Sequence, residues 1–167
     1  MKHFKRGLLS LAVAAAFATG AAQAQVSDNV IKIGVLSDMS SLYTDLAGAG
    51  SVIAARMAVE DSGIEKRGYK VEFVSADHQN KPDIGSGIAR QWYDTDKVDV
   101  IVDTPNSGVA LAVNQITKDK GKAFLVSGAA SSDLTGKACT PNTIHWTYDT
   151  WMLANGTGGA IVKTGGD

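Results

Sequence analysis

Short apolar runs recur along the chain and alternate with segments of helical periodicity. The runs at residues 30–36 and 69–76 are rich in β-branched and aromatic residues, which favour strands. Residues 98–102 and 123–126 form short apolar runs of the kind that a parallel sheet buries on both faces. Residues 143–148 form a fifth, weaker run. We therefore predict five strands, in this order along the chain.

The segments between the strands carry apolar residues at intervals of three or four, the spacing of one helix face. Pro82 suits the first turn of the second helix, Ser107 is the predicted N-cap of the third, and Gly63 and Gly121 fall where helices should end. A further helix is predicted at about residues 151–163. Strands that alternate with helices predict an α/β fold with a doubly wound, mostly parallel sheet. The three apolar stripes are Val52, Ala55 and Val59, then Ile84, Ile88 and Trp92, then Val109, Val113 and Ile116.

Residues 1–24 have the organisation of a secretory signal peptide. Three basic residues precede an apolar segment, residues 8–18, and Ala22-Gln23-Ala24 fits a cleavage site. The apolar segment is shorter than the roughly 18 residues that usually span a bilayer, so a membrane anchor is the weaker interpretation. We expect cleavage after Ala24, which leaves residues 25–167 as one exported domain.

Charge and cysteine content exclude several classes of partner and cofactor. Loss of the leader leaves 13 basic against 17 acidic residues, a formal charge of −4, which argues against nucleic acid as a partner. Cys139 is the only cysteine, so neither a disulfide within the chain nor a cysteine-based zinc site is possible. His78 and His145 have no further ligands at metal-binding spacing, and we interpret them as surface or hinge residues. No metal and no other cofactor is predicted.

Two loops that follow predicted strands are rich in small and hydroxyl-bearing residues. Residues 104–108 end a strand and begin a helix, so their N–H groups and the helix dipole favour a carboxylate. Residues 127–131 form a turn whose backbone can approach a ligand closely, and Ser131 adds a hydroxyl donor. Because ligands of open α/β sheets bind beyond the carboxyl ends of the strands, the two loops predict a binding cleft.

Other residues near the strand ends leave alternatives open. Tyr43, Tyr148 and Trp151 can form aromatic walls of a cleft, and ordinary packing explains each of them equally well. Three aspartates are interpreted as loop caps, with an acid or a polar gate as the alternative: Asp38, Asp103 and Asp149.

Three segments together resemble the amino-terminal lobe of type I periplasmic solute-binding proteins, the branched-chain amino-acid receptors of ABC importers and their relatives. The segments are IKIGVLSDMSSLYTDLAGAG, DTPNSGVALAV and SGAASSDLTG, and the similarity extends over residues 30–163. The resemblance implies two α/β lobes that close on a ligand without catalysis, a periplasmic location and a membrane ABC permease as partner. It places a small-molecule carboxylate on Asn106, Ser107, Ala129, Ala130 and Ser131, with an apolar or aromatic wall near Tyr43 or Leu46.

The chain also departs from the pattern of that family. Ser41-Leu42 replaces the Gly-Pro often found after the first strand, and no cysteine lies near residues 77–78, where the branched-chain receptors carry a disulfide. We expect residues 25–167 to be an incomplete amino-terminal lobe, without the second lobe that normally supplies the acidic partner of an amino group. The full-length protein is expected to be a monomer. The ligand stays open between an amino acid and an aromatic or other organic acid.

Two further functions are compatible with the same fold. One is a ligand-sensing domain of a receptor or regulator, which a downstream signalling module would distinguish. The other is a doubly wound enzyme with an Asp or Ser catalyst at a strand end. An enzyme needs a nucleophile, a base within hydrogen-bond reach and a third group that orders them. The sequence shows no such trio and no G-x-S-x-G motif.

Overall fold

The computed structural model describes residues 29–166. The predicted signal peptide, residues 1–24, lies outside the described residues. In residues 29–166, no helix is both long enough and apolar enough to cross a bilayer.

The five predicted strands are all present and form one parallel sheet. They are β1 (Val30–Ser37), β2 (Lys70–Asp77), β3 (Val100–Asp103), β4 (Ala123–Val126) and β5 (Thr143–His145). Their order across the sheet is β2-β1-β3-β4-β5, and every neighbouring pair is parallel. The fifth strand ends at His145 rather than at residue 148, because it pairs with β4 over only three residues.

The helices follow the predicted alternation. They are α1 (Gly48–Ser62), α2 (Pro82–Asp94), α3 (Ser107–Lys120), α4 (Thr150–Leu153) and α5 (Gly159–Lys163). A π-helical turn, Ala154–Gly158, joins α4 to α5, so the three pieces together match the helix predicted at residues 151–163. Gly63 and Gly121 end α1 and α3 in the left-handed conformation, at φ 61° and 62°, which glycine adopts without strain.

Helices α2 and α3 cover one face of the sheet and enclose the core. The predicted stripe of α3 is buried along its length, and Trp92 of α2 is only 5% exposed. Trp92 packs directly on Gly34 of β1, where a Cβ atom would lie 2.5 Å from two ring carbons. Phe124 and Val126 of β4 complete the same cluster. A side chain at position 34 would therefore displace the indole, which explains a glycine in the middle of a strand.

The opposite face of the sheet is only partly covered. Because successive strand residues point to opposite faces, Ile33 faces away from Gly34 and lines a cavity of about 380 Å³ beneath α1. Beyond α1, this face of the sheet is open to solvent: Ile144 of β5 is 54% exposed, and Trp146, which follows β5, is 63% exposed. On α1 itself, Ile53 and Met57, which flank the predicted stripe, are more than half exposed. This face is apolar and open in residues 29–166.

Candidate functional site

The order of the strands reverses between β1 and β3. From β1 the chain moves to β2 on one side, and it then crosses to β3 on the other side of β1. The loops that follow β1 and β3 diverge at such a point and leave a crevice at the carboxyl edge of the sheet. The loop after β4 lies at the same edge, since β4 is the parallel neighbour of β3.

The loop between β3 and α3 has an unusual backbone and a capped helix start. Asp103 and Thr104 have φ angles of 84° and 59°, a left-handed conformation that is strained for residues with a side chain and is concentrated at functional sites. Asn106 then caps α3, because its side-chain oxygen accepts a hydrogen bond of 2.9 Å from the Val109 N–H. The prediction that Ser107 is the N-cap is therefore wrong: Ser107 is the first residue of the helix.

Ser107 joins the two predicted loops. Its hydroxyl oxygen accepts hydrogen bonds from the N–H groups of Ala130 and Ser131, each at 3.1 Å. A serine hydroxyl has two acceptor positions and one donor hydrogen. Both acceptor positions are used here, and the hydroxyl hydrogen has no acceptor in the described part of the chain. The structure thus brings Ser107 and the loop after β4 together, as the two-loop cleft requires.

The loop after β4 is held by its own main-chain contacts. The carbonyl of Ala129 accepts from Nε2 of His145 at 2.6 Å, and the carbonyl of Ala130 accepts from the Thr150 N–H at 2.7 Å. The Ser131 hydroxyl oxygen accepts from the Asp133 N–H at 3.3 Å and caps a short 3-10 helix, Ser132–Leu134. Ala129 is fully buried. These groups fix the shape of the loop, and the Ala130 and Ser131 N–H groups point to Ser107 rather than to an open cleft.

Asp38 organises the loop that leads from β1 to α1. Its buried carboxylate accepts hydrogen bonds from the N–H groups of Ser41 and Tyr43, at 2.9 and 2.8 Å, and from the Ser41 hydroxyl. Burial pushes the pKa of Asp38 upward, but these hydrogen bonds outweigh it and hold the pKa below its ordinary value. Asp149 caps α4 by accepting from the Met152 N–H. Both residues are loop or helix caps, as predicted.

A small cavity of about 160 Å³ lies between these loops. Of the predicted ligand-binding residues, Tyr148 alone is among those that line this cavity. Leu46, which was expected near the wall of the cleft, lines it as well. Tyr43 is half-buried and does not line this cavity. The lining residues come from the loops after β1, β3, β4 and β5, from the first turn of α1 and from the end of β3: Leu46, Ala47, Ser51, Asp103, Pro105, Ser127, Gly128 and Tyr148.

Asp103 departs from the role that its position predicted. It is 4% exposed, and one carboxylate oxygen accepts from the Ser127 hydroxyl at 2.9 Å. The other oxygen is buried and has no hydrogen-bond partner in the described part of the chain. Asp103 therefore caps no helix or turn, and its interpretation as a loop cap is wrong. It places an incompletely satisfied carboxylate beside the crevice.

His78 follows β2 and is fully buried, so its interpretation as a surface residue is wrong, while the hinge alternative stays a prediction. Its Nδ1 accepts a hydrogen bond from the Asn80 N–H at 3.0 Å, which leaves the proton of the neutral ring on Nε2. Burial lowers the pKa of His78, and the nearby carboxylates of Asp38, Asp77 and Asp103 oppose that shift without cancelling it. Over residues 29–166, no three acidic, histidine or cysteine side chains gather into a metal-binding group.

The asparagine of the α3 cap has a second contact. Nδ2 of Asn106 donates to the side-chain oxygen of Asn80, in the loop after β2. Both ends of the Asn106 side chain are thus engaged within the protein, so Asn106 shapes the start of α3 rather than presenting a free side chain. Sequence patterns missed Asn80 because it lies 26 residues from Asn106 and meets it only across the folded sheet.

The chain is similar to a known protein family and to several solved structures. A family model described as a periplasmic binding protein matches residues 30–167, whereas no curated protein matches the chain. A periplasmic binding protein from Burkholderia mallei is 46% identical, with a TM-score of 0.79, over 83% of this chain and 37% of that one. A branched-chain amino-acid ABC transporter periplasmic ligand-binding protein from Burkholderia xenovorans LB400 is 42% identical, with a TM-score of 0.74, over 81% and 36%.

A more distant structure carries a ligand. It is an ABC transporter solute-binding protein from R. palustris in complex with benzoate, which is 27% identical, with a TM-score of 0.72, over 81% of this chain and 38% of that one. The chain spans little more than a third of the length of these three structures. The family match covers most of the chain, and the five-stranded parallel sheet agrees with it. The chain belongs to the periplasmic binding protein family.

Proposed function

We propose that residues 25–167 contribute the amino-terminal lobe of a two-lobe, periplasmic solute-binding receptor that serves an ABC importer. Residues 1–24 would direct its export. The receptor binds a small solute through its carboxylate and passes it to the membrane permease. The observation that carries this proposal is the half-buried Ser107 at the start of α3, whose hydroxyl hydrogen is free to donate at the strand-order reversal.

The start of α3 offers further donors to an anion. The Val109 N–H is taken by Asn106, and the Ala110 N–H bonds to the Asn106 carbonyl at 2.9 Å. The N–H groups of Ser107 and Gly108 have no acceptor within residues 29–166. Together with the Ser107 hydroxyl they form a cluster of donors at the positive end of a 14-residue helix. Such a cluster suits a carboxylate better than a neutral or cationic group.

The predicted ligand-binding residues divide into two roles under this proposal. Ser107 contacts the carboxylate directly. Asn106, Ala129, Ala130 and Ser131 hold the two loops in the shape that Ser107 needs, through the hydrogen bonds described above. Tyr43 and Tyr148 flank the body of the solute from the first and last loops.

The class of solute is a small acid with an apolar or aromatic body. Tyr148 is 38% exposed beside the 160 Å³ cavity, and Leu46 is 69% exposed at its rim. The similar proteins from B. xenovorans and R. palustris are described as a branched-chain amino-acid receptor and a benzoate complex. Leucine-like amino acids and benzoate share a carboxylate and an apolar body, the two features that this lobe is built to contact.

The mechanism is binding and lobe closure, with no covalent step. The carboxylate docks on the donors of this lobe, and a second lobe closes over the remainder of the solute. Hinge closure of this kind buries the ligand and creates a composite surface for a membrane partner. The receptor is expected to act as a monomer, since one lobe pair encloses one solute.

A thermal-shift screen with matched pairs of solutes tests the proposal. The full-length protein is heated with benzoate or benzamide, and with leucine or leucinamide, which differ only in the carboxylate. We expect at least one acid to raise the melting temperature, because a ligand at 100 times its Kd stabilises the native state by about 2.7 kcal/mol. The amide of the same pair should have little effect. Equal shifts for an acid and its amide, or no shift with any acid in a wider set of amino and aromatic acids, would reject carboxylate binding.

A further inference from the structure

The loop after β2 combines a buried histidine with a strained backbone. His78 has no exposed surface. Gln79 and Asn80 follow it with φ angles of 51° and 56°, the left-handed conformation that residues with a side chain rarely adopt. The loop after β3 has the same feature at Asp103 and Thr104. Both strained loops lie at the carboxyl edge, on either side of β1, and a bond between Asn80 and Asn106 joins them.

A continuous set of hydrogen bonds leads from His78 to the start of α3. Nδ1 of His78 accepts from the Asn80 N–H at 3.0 Å. The Asn80 side-chain oxygen accepts from Nδ2 of Asn106, and Oδ1 of Asn106 accepts from the Val109 N–H at 2.9 Å. The relay passes from the main chain of Asn80 to its side chain, so the bond to His78 holds the backbone that carries this side chain. The Val109 N–H can only donate, and it fixes the orientation of the Asn106 amide and, through it, that of the Asn80 amide. The last bond of the relay joins Asn106 to Val109, which flank Ser107 and Gly108 in the chain.

Protonation of His78 is incompatible with the first bond of this relay. The neutral ring offers a lone pair at Nδ1, whereas the imidazolium carries hydrogens on both ring nitrogens. In acid, the Nδ1–H would face the Asn80 N–H, two donors with no acceptor between them. Asn80 would lose the main-chain hydrogen bond that supports its strained conformation, while the Gln79 N–H would still donate to Asp77.

We propose that His78 and Asn80 are positioning residues for the carboxylate site, and that protonation of His78 releases the start of α3 and weakens solute binding. This inference rests on the proposed function for its effect on affinity. The existence of the relay does not depend on the proposed function, because all of its hydrogen bonds join residues of the described chain.

The surroundings of His78 determine when it takes up a proton. The acidic groups that act on it are Asp38 after β1, Asp77 at the end of β2 and Asp103 at the end of β3. On α2, Gly85 lies against His78, because a Cβ added at Gly85 would lie 3.5 Å from the His78 Cβ. Burial outweighs the three carboxylates and places the pKa of His78 below its ordinary value. His78 therefore takes up its proton at a lower pH than an unperturbed histidine.

An NMR titration tests the relay without a ligand. The full-length protein is labelled with ¹⁵N, and the His78 ring and the Asn80 and Val109 amides are followed from about pH 8 to pH 5. We expect the neutral ring to carry its proton on Nε2, and the Asn80 and Val109 amide signals to shift with the same midpoint as the ring. A Val109 amide signal that does not change when His78 is protonated would overturn the proposal.

Two substitutions at Asn80 provide matched controls that leave His78 intact. Asn80→Gly keeps the left-handed backbone and removes the side chain, so His78 should still titrate while the Val109 amide no longer follows it. Asn80→Asp retains an acceptor oxygen and should restore the coupling. If Val109 follows His78 equally well in Asn80→Gly, the relay does not exist and the amide responds to a general change of structure.

Calorimetry measures how the protonation of His78 affects the affinity for the solute. Benzoate and leucine are titrated into the full-length protein at about pH 7.5 and pH 5, a range in which both carboxylates stay ionised. We expect the wild-type affinity to fall severalfold more in acid than the affinity of Asn80→Gly, which is weaker at both pH values. An equal loss of affinity in both proteins would show that the relay does not affect solute binding. Absence of binding at either pH would count against the proposed function, while the NMR titration still decides the relay.

Discussion

Ser107→Ala is expected to weaken solute binding by the full-length receptor by roughly 10- to 100-fold, measured by calorimetry. The substitution removes the free hydroxyl hydrogen that donates to the carboxylate, and a hydrogen bond to a charged group contributes about 1.5–3 kcal/mol. It also removes the acceptor of the Ala130 and Ser131 N–H groups, which lie 3.1 Å from the hydroxyl oxygen. The loop after β4 would then lose its attachment to α3.

Two variants separate this effect from a general loss of structure. Ser62→Ala makes the same chemical change at the far end of α1, where the hydroxyl bonds only to neighbouring main-chain groups. It should leave affinity unchanged. Ser107→Thr retains a hydroxyl and should bind within about threefold of the wild type. Wild-type affinity in Ser107→Ala would show that the carboxylate is held elsewhere.

Gly34→Ala is expected to lower the free energy of unfolding by about 1–3 kcal/mol, measured by urea denaturation. The new methyl group would lie 2.5 Å from two carbons of the Trp92 ring and 3.2 Å from a methyl carbon of Val98. Trp92 is 5% exposed within the core cluster and has little space into which it can move. Overpacking of this kind forces the ring or the strand to shift.

Gly50→Ala is the matched control for the core substitution. It adds the same methyl group in α1, where nothing lies within 4 Å of the new atom. Because alanine favours a helix over glycine, this variant should gain roughly 0.5–1 kcal/mol. If Gly34→Ala is as stable as the wild type, then β1 and α2 are not in the close contact described here.

The fold was predictable from sequence because its signals are local. Alternating β-rich runs and apolar stripes identified the five strands and helices α1 to α3, and Gly63 and Gly121 marked the ends of α1 and α3 correctly. The errors at element ends have local causes as well. Residues 146–148 have strand-forming side chains, but β4 offers β5 only three pairing positions, so the strand ends at His145.

The site was predictable only in outline because its decisive contacts cross the sheet. Asn106 and Ser107 are both good capping residues, and only the backbone geometry shows that Asn106 is the cap. The bond between Ser107 and the loop after β4 depends on β3 and β4 being neighbours. The burial of His78 and Asp103 contradicts what their residue types suggest, and it follows from the reversal of strand order that packs three strand ends together.

A crystal structure of the full-length protein with the acid that gives the largest thermal shift tests carboxylate binding at the start of α3 most directly. We predict that a carboxylate oxygen lies about 2.6–3.0 Å from the Ser107 hydroxyl oxygen and within hydrogen-bond distance of the Ser107 or Gly108 N–H. The body of the solute should lie beside Tyr148. A carboxylate bound at another edge of the sheet, or one that makes no contact with the start of α3, would contradict the proposed site.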